Sequence, residues 1–113
     1  MSREKSRTPN PAALQIYLKQ AHTGQACGIS GPELSRQLRT SNRAIRNAVH
    51  TLRCNGFPIC SGDSGYYYAA NAGELAATIR QMQSRIRHIA LAKNGLVRAA
   101  EQLMEDGQLD LSA

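Results

Sequence analysis

The run Ser41-Asn42-Arg43-Ala44-Ile45-Arg46-Asn47-Ala48-Val49-His50-Thr51-Leu52-Arg53-Cys54-Asn55-Gly56 holds an amphipathic helix between its own start and stop signals. Ile45, Ala48, Val49 and Leu52 recur at helical spacing and form one apolar stripe. Ser41 and Asn42 supply side-chain acceptors for the first turn, and Asn55-Gly56 supplies the left-handed stop. If the stripe is buried, Arg43, Arg46, Asn47 and His50 fall on the opposite face, with Arg53 further along.

Working upstream, Thr40, Ser41 and Asn42 form a short polar turn after a second helix of about residues 31–39. Ser30 caps it, Pro32 and Glu33 occupy its first turn, and Leu34 and Leu38 point inward. A first helix begins at Pro11 behind Asn10, carries Leu14, Tyr17, Leu18 and Ala21, and ends near Thr23 and Gly24. Downstream, Phe57 to Cys60 and Tyr66 to Ala70 read as two short strands about a Ser61–Gly65 tip, a β-hairpin. Alternation along the second strand buries two tyrosines and leaves Tyr67 outward. Asn71 with Glu74 three positions on then opens a further helix.

The expected fold is therefore mainly α with a small β-hairpin, a winged helix-turn-helix followed by a long C-terminal helix. Residues 1–10 read as a flexible basic arm and 11–70 as the winged domain. Residues 71–105 read as a long dimerisation helix and 106–113 as an acidic tail.

Four segments together resemble a known family: Gly31-Pro32-Glu33-Leu34-Ser35-Arg36-Gln37-Leu38, Ser41 to Arg53, Asn55-Gly56-Phe57-Pro58-Ile59, and Gly65-Tyr66-Tyr67-Tyr68. They look like the winged-helix domain at the head of biotin-protein ligase repressors, across about Leu14 to Ala70. The chain departs from that pattern at Asn42, where the family carries Arg. The resemblance implies the winged fold and nucleic-acid binding. It does not imply ligase chemistry, because nothing after Ala70 resembles a biotin-binding catalytic domain.

The residue types on the outer face of the third helix suit a major groove. Arg holds the two acceptors of guanine with a bidentate fork, and Asn pairs with adenine. A merely solvated face ordinarily mixes Glu with Lys, whereas no acid occurs from Leu34 to Gly62. The expected DNA contacts are Arg36, Arg39, Ser41, Asn42, Arg43, Arg46, Asn47, His50 and Arg53, with Ser41 and Asn42 serving first as caps. The wing tip carries Asp63 and no basic residue, which argues against a strong phosphate contact there. Arg3, Lys5 and Arg7 of the arm suit either a minor groove or a solubilising tail.

Totals narrow the function classes. With 113 residues there is no room for a second catalytic domain, and with no Trp and one Phe the core is aliphatic. The net charge of +6 divides unevenly: fourteen Lys and Arg up to Arg98 stand against Glu4, Glu33, Asp63 and Glu74, while Glu101, Glu105, Asp106 and Asp110 follow without a base. Such a basic body attracts polyanions. Cys27, Cys54 and Cys60 form no CxxC pair, and with His22, His50 and His88 they match no common zinc spacing. No secretory signal or bilayer-length apolar run is present, so a cytoplasmic protein with reduced thiols is expected. No nucleophile–base pair or phosphate loop is recognisable. The expected protein is therefore not an enzyme and has no cofactor, metal, membrane or small-molecule substrate. Its expected partner is double-stranded DNA, in the role of a transcriptional regulator or replication- or partition-site binder. The alternatives are a protein-interaction module, an inhibitor or adaptor, on the same fold, and an RNA binder.

The long helix adds an assembly. Ile79, Met82, Ile86, Ile89, Lys93, Leu96, Ala100 and Leu103 follow at alternating steps of three and four, a heptad seam. A helix over 72–103 is about 48 Å long, more than the winged domain needs, so the seam is expected to join two copies. The alternative is a helix that breaks at Asn94-Gly95 and folds back on the first.

Overall fold

A computed structural model describes residues 10–107. Arg3, Lys5 and Arg7 of the expected arm, and Asp110 of the expected tail, lie outside the described residues. The described residues form mainly helices and one two-stranded antiparallel hairpin, in the order of a winged helix-turn-helix followed by a long C-terminal helix.

Helix α1 spans Pro11–Ala21, with Asn10 accepting from the Ala12 N–H at 2.9 Å. Helix α2 spans Gly31–Gln37, capped by the Ser30 hydroxyl, and helix α3 spans Asn42–Cys54, capped by the Ser41 hydroxyl. Each cap satisfies a donor that the first turn leaves without a helical partner. α2 stops two residues short of the expected Arg39. There Arg39 takes φ 55° and the Thr40 N–H reaches back to the Ser35 carbonyl at 2.9 Å. That is a Schellman closure with Arg where Gly is usual.

The core brings together Leu14 and Leu18 of α1, Ile29, Leu34 of α2, Ile45, Ala48, Val49 and Leu52 of α3, and Ile59. The stripe expected of the third helix is thus its buried edge. Strand β1 covers Ile59–Gly62 and β2 covers Gly65–Tyr68, so the tip is the two residues Asp63 and Ser64, tighter than the expected five-residue tip. Gly65 at φ 101° lets the chain pass against the Ile29 carbonyl, where a Cβ has no room.

Two features escaped the sequence reading. Ile29, between α1 and α2, pairs with the far edge of β2 through two hydrogen bonds with Tyr66, at 2.9 and 2.8 Å. Tyr67 is not outward: it is 3% exposed, while Tyr66 and Tyr68 are the ones half-buried against the core. Alternation holds, but the hairpin is covered on both faces. The start of helix α4 supplies the second cover, where the Thr78 hydroxyl accepts from the Ser61 N–H and bonds the Tyr67 phenol. Burial raises the pKa of that phenol above its ordinary value.

Helix α4 runs Ala72–Glu105 without the break considered at Asn94-Gly95. The compact winged unit extends to Thr78, beyond the expected boundary at 70, and Ile79 onward forms a second unit. At the helix start Asn71 accepts from the Glu74 N–H at 2.9 Å, and the Glu74 carboxylate accepts from Ala70 and Gln25 N–H at 2.9 and 3.0 Å. These donors hold its pKa below the usual carboxylate value.

Candidate nucleic-acid interface

Burying Ala44, Ile45, Ala48, Val49 and Leu52 turns the opposite edge of α3 outward, and Arg43, Arg46, Asn47 and His50 are all exposed. They occupy offsets 0, 3, 4 and 7 along one face, spanning about 10 Å of helix axis. That length matches about three base steps of 3.4 Å. Neither Arg43 nor Arg46 is held in an ion pair with a described residue. His50 Nε2 stands 3.5 Å from the Cys54 thiol, which extends the same face by one turn.

The remaining expected contacts divide into three groups. Ser41 and Asn42 are exposed at the start of α3, and the Ser41 hydroxyl is already engaged in accepting from the Ala44 N–H at 3.1 Å. Arg36 and Arg39 are exposed beside the turn between α2 and α3, where with Ser35 and Thr40 they line a shallow hollow of about 400 Å³. Arg36 is engaged there by Glu33 in an exposed (i, i+3) ion pair. Hydrogen bonds from Gln37 and Arg36, with the Arg36 charge, hold the Glu33 carboxyl below its ordinary pKa.

Arg53 stands apart. Its Nε donates to the Ile59 carbonyl at 2.8 Å and a terminal nitrogen to the Ser61 hydroxyl at 3.1 Å, so its guanidinium braces the hairpin. Residue type and helical offset placed Arg53 near the outer face. The hydrogen-bonding groups six and eight residues later in β1 could not be located from the pattern of α3 alone. The wing tip exposes Asp63, a charge that opposes a phosphate.

The expected seam is open in the single chain. Ile79 is 47% exposed, Met82 40%, Ile86 66%, Ile89 62%, Leu96 72% and Leu103 39%. Lys93 is exposed and Ala100 half-buried. Leu91, Val97 and Met104 add exposed apolar surface outside the seam. Cys27 and Cys54 are exposed and Cys60 is buried. No helix among the described residues is long and apolar enough to cross a membrane.

No known protein-family model, no curated protein and no solved structure matches this chain.

Proposed function

We propose that this protein binds double-stranded DNA through the outer face of α3, as a homodimer joined along the α4 seam, in a transcriptional or a replication- or partition-site role without catalysis. One observation carries the reading. The face left over when α3 buries its aliphatic edge presents Arg43, Arg46, Asn47 and His50 together, with no acid between Leu34 and Gly62 to neutralise them. The hollow lined by Arg36 and Arg39 adds a place for a backbone phosphate beside the same helix. The likeness to the winged domain of biotin-protein ligase repressors supports the same reading.

Polarisation of a labelled duplex, first selected from a random pool, tests this. Affinity should fall steeply with salt, and Arg43→Ala with Arg46→Ala should abolish retention while leaving the melting temperature near that of the parent. Equal retention by that double variant sinks the proposal. Preferential displacement by structured RNA would move the target to RNA. The apolar surface of α4 favours a second reading, an adaptor that binds another protein, which predicts salt-insensitive association and no effect of the two arginines.

A further inference from the structure

From Ile79 onward α4 carries its charges in two blocks. Arg80, Arg85, Arg87, Lys93 and Arg98 come first, with no acid among them. Glu101 and Glu105 close the helix, Asp106 follows it, and no basic residue stands in the last turn. This order opposes the helix's own dipole, whose C-terminal end favours cations. A lone helix gains nothing from the arrangement. A second copy running the other way does, because reversal brings Glu101 and Glu105 of each copy alongside Arg80 of the other, and the two dipoles oppose.

We propose that α4 pairs with α4 of a second copy in antiparallel orientation, centred near Leu91. The seam fits this polarity. With Ile79, Ile86, Lys93 and Ala100 as one set of heptad positions and Met82, Ile89, Leu96 and Leu103 as the other, reversal about Leu91 places each member of one set opposite a member of the other. Ile79 then faces Leu103 of the second copy, Met82 faces Ala100, Ile86 faces Leu96, and Lys93 faces Ile89. A parallel pair instead sets Lys93 directly against Lys93 of the second copy inside the seam, a like-charge contact, and places acidic end beside acidic end. In the antiparallel pair the Lys93 stem covers apolar surface while its ammonium reaches water. All six large apolar seam residues that the single chain leaves exposed are covered.

This inference rests on the homodimer reading and adds its direction. The two Ile79 positions stand about 36 Å apart along the axis.

The test uses the full chain without DNA, with Cys27→Ser and Cys54→Ser to clear exposed thiols. Ile86→Cys and Leu96→Cys chains, one enlarged by a tag, are produced separately and co-expressed, then oxidised with oxidised glutathione. Co-expression should give a covalent tagged–untagged dimer, and each variant alone should stay single on a non-reducing gel. Self-crosslinking of the Ile86→Cys chain overturns the proposal, as does monomeric sedimentation of the parent at micromolar concentration. Spin labels at the exposed position Arg80→Cys give a check that leaves the seam intact. An axial separation of about 33 Å is expected, and a separation under about 15 Å, side-by-side helices, overturns the proposal. Loss of DNA binding with this pattern intact rejects only the proposed function, and a parallel crosslink with DNA binding intact rejects only the direction.

Discussion

Arg53 reaches from the last turn of α3 to the Ile59 carbonyl of β1, 2.8 Å from its Nε, and so fixes the end of α3 to the hairpin. Replacing it with Ala leaves that carbonyl and the Ser61 hydroxyl without their charged donor. Thermal unfolding of Arg53→Ala should show a loss of about 1 kcal/mol, the lower part of the usual range because the site is half-exposed. DNA affinity should fall less than in Arg43→Ala. Arg53→Lys should not restore the stability, since a single ammonium does not reproduce the two-pronged contact.

Arg39 presents the opposite balance. It holds φ 55° at the end of α2, where glycine is at ease and a side chain is not. Arg39→Gly should raise unfolding stability by about 0.5–1 kcal/mol. If Arg39 meets a phosphate, the same variant should reduce the slope of log affinity against log salt by about 0.9. Denaturant melts and a salt titration together separate strain from contact.

Gly65 tolerates no side chain, having both φ 101° and the Ile29 carbonyl against the place a Cβ would take. Gly65→Ala should lower stability by about 2 kcal/mol or more, read as an earlier urea midpoint at unchanged slope. Gly62→Ala, where a methyl would meet open space, is the control and should cost far less.

Glu74 contributes through its ionised form. Donors from Ala70 and Gln25 stabilise the carboxylate and lower its pKa in the folded chain. A depressed folded value means that the contribution is fully present above the ordinary glutamate range. It is lost as pH falls through the folded value. Thermal melts from pH 7 to pH 3 should therefore converge for the parent and Glu74→Gln at the acid end and differ at neutrality, with the parent the more stable. A constant gap across that range counts against the ionised clamp.

The helical part of the fold was legible because its signals are local. Ser30, Ser41 and Asn71 lie beside the helices they cap, and the stripe from Ile45 to Leu52 repeats with the period of a single helix. Tyr67 was misplaced because the pattern of one strand states that its faces differ and not that both are covered. The cover comes from Thr78, in another element. Ile29 escaped for a related reason, since one paired residue in a linker makes no alternating run. On the candidate interface the exposure of Arg43, Arg46, Asn47 and His50 followed from the buried stripe alone. The engagement of Arg53 depended on groups in β1 that no helical period reports.

The rung between Ile29 and Tyr66 joins positions 37 residues apart in the chain. On a ribosome, the linker emerges long before its strand partner, and the core that braces α3 cannot close until β2 has followed. Shortened chains ending before Gly65 should therefore be cut readily by protease throughout, and resistance should appear as one step once synthesis passes Thr78.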